Sequence, residues 1–332
     1  MVHSKEYNNI FVAKGIGIFL VVLGHFEGVP GYMPKYFIWL HELIYTFHMP
    51  LFMALSGFLF GKLFSSQFNY RLFIKKKVKR LLIPYFTLSL LLLIVKYTSG
   101  FFVELNHPPV LSDVLYNIFV QPNIGFAAFL WFIYTLFLIF CIVPFFKKLS
   151  HLFIVGIILF FIPFPPYFCI DLVAKYLIYF TIGIYIYRQF VTGKTIKRPF
   201  LVFVFTLLFM SALFFVNRQS SGLYKDIVLL IMATTGILSV FAFSELIVDL
   251  ALFNRPFLYL GRSSSEIYLL HTFCMGLVMA LAVNIPIDGV ARFYMIGILA
   301  IVGGLFIPVF IRDIIVRFNI PVRLLLFGDD KK

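Results

Sequence analysis

The chain has 332 residues, of which 62% are hydrophobic, 20% aromatic and only 13% charged, and its mean hydropathy is +1.00. Soluble domains are roughly 45–50% apolar and about 25% charged, so this composition excludes a disordered chain and argues against a soluble enzyme. The formal net charge of +14 comes from Lys and Arg that lie between or after apolar runs, without the stacking motifs of nucleic-acid-binding surfaces. We therefore predict a multi-pass membrane protein that contacts the lipid bilayer and has no nucleic-acid partner.

Apolar runs long enough to cross a bilayer follow one another along the chain. A transmembrane helix needs about 20 mostly apolar residues, with about 17–25 the usual range. The predicted spans cover residues 9–27, 39–61, 78–98, 124–145, 151–165, 170–188, 199–216, 226–247, 264–284 and 291–311. The first run lacks a small-residue cleavage site, so we interpret it as a retained span and not as a signal peptide. The series predicts an all-α integral membrane bundle of about ten transmembrane helices, forming a single domain over residues 1–332.

The distribution of basic residues predicts the orientation of these spans. Of the 28 Lys and Arg, 21 lie on the side that carries the N-terminus, six lie on the opposite side, and Lys14 lies within a span. Basic residues concentrate in cytoplasmic loops, so we expect both termini to be cytoplasmic. Two connections are longer than the topology needs: a basic inner segment, 62–77, and an outer segment, 99–123, which we expect to cover an external site.

The first span carries two ionisable side chains, Lys14 and His25, in the run KGIGIFLVVLGH. Ionisable groups inside a bilayer are energetically costly, and they commonly mark functional sites. Eleven residues of α-helix place the two side chains within about 20° of each other and about 16 Å apart along the axis. One helix face therefore presents a cation near its cytoplasmic end and an imidazole near its outer end. A neutral His at such a site can act as a general base for a hydroxyl nucleophile.

A purely structural interpretation of the same pair is open at this point. Lys14 would then extend its ammonium to the membrane interface, and His25 would cap the outer end of the helix. The same span contains Gly15, Gly17 and Gly24, which predict that a neighbouring helix or a substrate approaches its backbone closely.

The second predicted span contains His48 within an apolar run, followed by Pro50 and, further on, by Ser56. A proline inside a spanning helix frees backbone carbonyl groups, which predicts an irregular helix beside a cavity. His48 and Ser56 are therefore candidates for residues that line a site. The alternative for His48 is a hydrogen-bonded side chain inside the bundle.

The basic run KKKVKRLLIPY leads into the third span and contains Lys77 and Arg80, three residues apart on one helix face. Such a pair can hold phosphate groups by charge-assisted hydrogen bonds. Juxtamembrane cations also bind anionic lipid headgroups, and the spacing does not discriminate between the two interpretations.

Three further residues complete the candidate site. The ninth span begins GRSSSEIYLLH, in which Ser263 and Glu266 have the spacing of a helix capping box. Glu266, and His271 deeper in the span, are candidates for residues that line an acceptor site. Trp131 in the fourth span is a candidate stacking platform, and its alternative role is to fill the bundle or the interface.

Other catalytic patterns are missing from the sequence. The three cysteines, Cys141, Cys169 and Cys274, are too few and too scattered for a disulfide framework or a zinc site. No Walker-type glycine loop, HExxH, GxSxG or CxxC motif occurs. We therefore predict no metal ligands.

Five short motifs occur in one order along the chain. They are Lys14 to His25, the stretch FHMPLFMALSGFLF at Phe47 to Phe60, Lys77–Arg80 before the LIPY sequence at Leu82–Tyr85, Leu130–Phe132, and Gly261 to His271. In this order the sequence resembles the membrane-bound acyltransferase family 3, which includes bacterial O-acetylases of cell-envelope sugars. Two positions depart from the family pattern: Lys77 stands where Arg is common, and Ser265 stands where an aromatic residue or Leu is frequent.

The resemblance implies a reaction and its partners. Acyl-coenzyme A, with acetyl as the favoured acyl group, would enter from the cytoplasm as a co-substrate, and no cofactor would be permanently bound. The acceptor would be a hydroxyl of a cell-envelope carbohydrate or of its lipid-linked precursor, at a bacterial inner (plasma) membrane. We expect Lys14 and His25 to be catalytic and Lys77 and Arg80 to bind the donor.

A second class of function is compatible with intramembrane Lys and His residues. A transporter or flippase for a lipid-linked sugar or a small anion would also use such side chains and kinked helices. The chain shows no paired halves with matching interrupted segments, which disfavours this alternative. A structural membrane subunit would leave the face that carries Lys14 and His25 without a role.

Overall fold

The chain is helical throughout the part that the structure describes. The computed structural model describes residues 2–29, 32–64, 66–99, 111–125, 127–194, 196–282, 285–287, 289–315 and 319–328. In these ranges the regular structure is helical, apart from an isolated antiparallel bridge between Val29 and Tyr32 that closes the turn after the first helix. The prediction of an all-α chain is confirmed.

Fourteen α-helices account for this structure within the described ranges. They are α1 (Val2–Gly24), α2 (Lys35–Phe64), α3 (Tyr70–Lys77), α4 (Ile83–Ser99), α5 (Leu111–Phe119), α6 (Trp131–Ile142), α7 (Leu149–Phe161), α8 (Ile170–Val191), α9 (Pro199–Gln219), α10 (Gly222–Ile247), α11 (Ala251–Arg262), α12 (Ser264–Ala282), α13 (Gly289–Phe310) and α14 (Ile320–Phe327). A π-helical turn, Val78–Leu82, joins α3 to α4, and a second one, Ile311–Ile315, extends α13.

Each of the ten predicted spans coincides with an apolar helix. Eight helical segments of the described chain are long and apolar enough to cross a membrane, which is consistent with an integral membrane protein. They are Lys35–Phe64, Tyr70–Val95, Ala128–Phe145, Tyr167–Val191, Pro199–Gln219, Gly222–Ile247, Ser264–Ala282 and Gly289–Ile314. Two shorter apolar helices, Asn8–Gly24 and Leu149–Phe161, occupy the first and fifth predicted positions. The count of ten membrane crossings and the cytoplasmic termini stay predictions.

The connections differ more from the sequence-based expectation than the spans do. The predicted inner loop 62–77 is helical from Tyr70 onward, because α3 continues through the π-helical turn into α4. Helices α5, α11 and α14 lie outside the predicted spans, and with 9, 12 and 8 residues they are too short to cross a membrane. Of the predicted outer segment 99–123, residues 100–110 lie outside the described residues.

Helix α2 is continuous where the sequence predicts an irregularity. It is α-helical from Lys35 to Phe64, with Pro50 in its interior. The predicted irregularity does not interrupt the helix, and the predicted cavity beside it stays a prediction. A proline removes one backbone donor, and the remaining hydrogen bonds on either side of Pro50 maintain the helix.

The chain forms two compact units, each described here by itself. Unit 1 comprises Met1–Ser56 and Ile186–Ile315, and unit 2 comprises Gly57–Tyr185 and Val316–Lys332. The single domain predicted over residues 1–332 stays a prediction.

In unit 1, helix α1 packs against α10, α11, α12 and α13. Its contact with α11 is a backbone contact, since a Cβ added at Gly15 would lie 2.0 Å from the carbonyl oxygen of Phe257. A Cβ added at Gly261 would lie 1.8 Å from the carbonyl oxygen of Phe11. The close approach that the glycines of the first span predict is therefore confirmed, and the two glycines fix α1 against α11.

Unit 2 has an aromatic core around Phe140. The rings of Phe60, Phe73 and Phe180 lie 5.9, 5.8 and 5.5 Å from the Phe140 ring, measured between centroids. Helix α14 packs against α4 and the π-helical turn. Aromatic pairs at these separations stabilise the unit by more than the burial of their surface area alone.

Candidate functional site

Three histidines lie near one another in unit 1, one just after α1 and one each on α2 and α12, and we call them the histidine cluster: His25, His48 and His271. The rings of His25 and His271 meet edge to face, with centroids 4.6 Å apart and an interplanar angle of 88°. Tyr45 lies between His25 and His48, with its ring centroid 6.2 Å from the first and 4.8 Å from the second. The sequence nominated all three histidines separately, and the tertiary structure brings them together.

The hydrogen bonds of the histidine cluster define the protonation of each ring. In each ring, Nδ1 lies 2.8 Å from the carbonyl oxygen of a residue three or four positions earlier in the chain. The pairs are His25 with Val21, His48 with Ile44, and His271 with Tyr268. A carbonyl oxygen only accepts hydrogen bonds, so each Nδ1 carries the proton that is donated. In a neutral imidazole the second nitrogen, Nε2, then has a lone pair that can accept a proton.

Burial distinguishes the three rings. His271 is completely buried and His48 is 3% exposed, whereas His25 is only partly buried. Within the histidine cluster, His25 is therefore the most accessible ring. His271 packs against His25 and restricts the orientation of its imidazole.

Lys14 lies at the other end of the same helix face, where α1 meets the end of α11. Its Nζ is 5.5 Å from the centroid of the Phe11 ring, and the guanidinium carbon of Arg262 is 5.9 Å from the same centroid. Two cations therefore flank one aromatic ring, an arrangement that the ring quadrupole favours. Helix α1 is unbroken from Lys14 to Gly24, and the His25 backbone N–H still donates to the Val21 carbonyl oxygen at 3.1 Å, so the helical geometry extends to His25.

Arg312 holds the beginning of α12. Its Nη1 donates a hydrogen bond to Ser263 Oγ over 3.0 Å and forms an ion pair with Glu266 Oε1 over 3.6 Å. Asp313 accepts two further bonds from the same guanidinium, at 2.7 and 3.0 Å. The capping box predicted for Ser263 and Glu266 is not formed, because the Ser263 backbone N–H donates to carbonyl groups of α11 and Glu266 pairs with Arg312.

The other predicted site residues lie elsewhere. Ser56 lies on α2, about two turns from His48, and is partly exposed. In unit 2, the Nζ of Lys77 is 3.6 Å from the centroid of the Phe140 ring. Arg80 is exposed on the π-helical turn. Trp131 begins α6 and lies against Tyr176, with centroids 5.0 Å apart.

Arg262, Arg312 and Tyr45 were not nominated from the sequence. Arg262 ends the amphipathic helix α11 and Arg312 follows α13. From the sequence, both indicate only a side of the membrane and not a contact partner. An acidic residue at a helix start inside an apolar protein, such as Glu266, needs a cation, and this need was the available signal for Arg312. No arrangement of three or more His, Cys, Asp or Glu suited to a metal ion occurs among the described residues.

Comparison with known proteins places the chain in a family. No curated protein and no solved structure matches it. The model of acyltransferase family 3, described as an acyltransferase domain, matches residues 7–312. This match covers nearly the whole chain, including the histidine cluster and Lys14. The chain, a multi-helical membrane protein with a partly exposed histidine beside a buried one, therefore belongs to acyltransferase family 3.

Proposed function

We propose that the protein is a membrane O-acyltransferase that moves an acyl group, acetyl in the first instance, from acyl-coenzyme A to a carbohydrate hydroxyl. The acceptor is a cell-envelope carbohydrate or its lipid-linked precursor. The observation that carries the proposal is the His25 ring, whose Nδ1 donates to the Val21 carbonyl and whose Nε2 is left to accept a proton. Membership of acyltransferase family 3 supports acyl transfer over the alternative of a transporter or flippase.

In the proposed reaction His25 acts as the general base. Its Nε2 removes the proton of the acceptor hydroxyl while the hydroxyl oxygen attacks the thioester carbonyl carbon. The new C–O bond forms, the C–S bond breaks, and the coenzyme A thiolate leaves. The proton held by His25 then passes to the thiolate, so the products are the ester and the free thiol, with no net change in protons.

The donor is a co-substrate, and cations are its natural ligands. Lys14 and Arg262 flank Phe11 at the end of unit 1 that lies opposite His25 along α1. Their charges suit the phosphate groups of coenzyme A. Arg80 is an exposed guanidinium that we propose as a further phosphate ligand. Lys77 also stays a proposed donor ligand, although its ammonium already lies over the Phe140 ring.

The proposed location is a bacterial inner (plasma) membrane, with both termini in the cytoplasm. The excess of Lys and Arg on the side of the N-terminus supports this orientation. It brings Lys14 to the cytoplasmic side, where acyl-coenzyme A is made, and leaves His25 nearer the outer side.

Thiol release from acetyl-coenzyme A tests the proposal. The purified protein in lipid nanodiscs is supplied with acetyl-coenzyme A and a panel of methyl glycosides, and free thiol is measured with a chromogenic disulfide. We expect thiol release that depends on the sugar and a mass increase of one acetyl group on the glycoside. Sugar movement across vesicles without thiol release would instead support the transporter.

A further inference from the structure

A partly uncovered aromatic ring lies beside His25. Tyr45 on α2 is 44% exposed, and its ring centroid is 6.2 Å from that of His25. His41 stacks on the same ring, with centroids 4.3 Å apart and an interplanar angle of 26°. Gly24 meets the edge of the ring, since a Cβ added there would lie 3.2 Å from Tyr45 Cε2. The ring is therefore held in place while part of it stays open.

Two polar side chains around Tyr45 have capacity for a ligand. The Nε2 atom of His41 is buried and has no hydrogen-bond partner among the described residues. A buried polar nitrogen in this condition is unfavourable until a ligand or water pairs with it. Glu27 is exposed and lies two residues after His25 in the turn that follows α1.

This combination of groups matches the chemistry of a sugar. A pyranose has a face of C–H groups that packs on an aromatic ring and a rim of hydroxyls that need hydrogen-bond partners. A carboxylate accepts hydrogen bonds from hydroxyls, and an imidazole nitrogen can accept or donate one. A phosphorylated ligand would meet repulsion from Glu27, and a lipid chain would leave both Glu27 and His41 without a partner.

We propose that Tyr45, His41 and Glu27 form a carbohydrate-binding subsite that presents the acceptor hydroxyl to His25. The Tyr45 ring supports the sugar, and the two polar groups fix its rotation on that ring. All four residues belong to unit 1. The assignment of the sugar as acceptor rests on the proposed function, whereas the binding of the sugar does not.

Saturation-transfer difference NMR tests the subsite without donor or turnover. The full-length protein in lipid nanodiscs, free of sugar-based detergent, is titrated with methyl glucoside, methyl rhamnoside and N-acetylglucosamine. We expect at least one of these sugars to receive saturation on its ring C–H protons. Absence of transfer to all three would overturn the proposal.

Variants locate the binding on the proposed residues. Tyr45→Leu removes the aromatic face and is expected to weaken sugar binding about tenfold or more, the scale of an aromatic contact. Tyr45→Phe keeps the ring and should bind like the wild type, and Glu27→Gln should weaken binding severalfold. The matched control is Tyr185→Leu, since Tyr185 is 53% exposed and belongs to unit 2. Equal binding by Tyr45→Leu and the wild type would refute the subsite.

The same samples separate this proposal from the proposed function. His25→Ala is expected to retain sugar binding while thiol release is lost. Sugar binding that depends on Tyr45, in a wild-type protein that releases no thiol from acetyl-coenzyme A, would support the subsite and contradict the acyltransferase reaction proposed above. Thiol release that depends on the sugar but is unchanged in Tyr45→Leu would support the acyltransferase reaction and contradict the subsite.

Discussion

Replacing His25 by alanine removes the imidazole that we propose as the general base. The substitution is mild for the fold, because His25 lies just after the end of α1 and is partly exposed. Its Nδ1 donates a hydrogen bond to the carbonyl oxygen of Val21, one turn earlier in the chain. The contact with His271 is lost, but no fully buried volume is emptied. We therefore expect the variant to fold.

The expected loss of activity is the full contribution of a positioned base. General base catalysis supplies about 10²–10⁴-fold, which corresponds to about 2.7–5.5 kcal/mol of transition-state stabilisation. The neighbouring rings do not replace it, since His271 is fully buried and His48 is 3% exposed. His25→Asn should be similarly inactive, because an amide forms a hydrogen bond but does not accept the proton.

The assay is thiol release at saturating sugar with varied acetyl-coenzyme A, which separates kcat from the donor KM. We expect kcat to fall by the factor above while the donor KM stays within about twofold, because the loss is confined to the transition state. His151→Ala is the control, since His151 is an exposed histidine on α7. A folded His25→Ala protein with near-normal kcat would refute the assignment, and His48 would become the next candidate.

Three further predictions concern the donor, the helix packing and the topology. Arg80→Ala should raise the donor KM roughly ten- to a hundredfold, the effect of losing one charged hydrogen bond. The control Arg71→Ala changes another exposed arginine of unit 2 and should leave the donor KM unchanged. Equal donor KM values for the two variants would assign Arg80 to lipid binding. Gly15→Ala places a Cβ 2.0 Å from a carbonyl oxygen of α11 and should lower stability by about 1–3 kcal/mol. The control is Gly276→Ala, whose added Cβ would have nothing within 4 Å, and it should be neutral or stabilising by up to about 1 kcal/mol. Thermal unfolding followed by size-exclusion chromatography compares the two variants, and similar unfolding midpoints would disprove the close-contact argument. Ser66→Cys in a variant without other cysteines should resist an impermeant maleimide in intact cells and react after permeabilisation, and labelling in intact cells would reverse the proposed orientation.

The spans follow from the sequence because their determinants are local. A backbone in a bilayer must satisfy its own hydrogen bonds, so an apolar run of sufficient length becomes a helix whatever its neighbours are. The same argument explains why the helical period alone was enough to predict that Lys14 and His25 share a face. It also explains why Pro50 does not end α2, since one missing donor leaves the other hydrogen bonds of the helix in place.

Short amphipathic helices were missed for the converse reason. Helix α11 has 12 residues and contains Pro256, so its own sequence favours a helix only weakly. Its contact with α1 through Gly15 and Gly261 stabilises it, and this contact depends on residues far away in the chain. A local pattern contains no information about that partner.

The candidate site shows the same division. The sequence nominated His25, His48 and His271 because each is an ionisable residue in an apolar run, a property of single positions. Which of them is accessible depends on the packing of α1, α2 and α12, which leaves His25 partly exposed and buries the other two. The pairing of Arg312 with Glu266 was likewise decided by tertiary structure, because the charge of a loop arginine predicts its side of the membrane but not its partner.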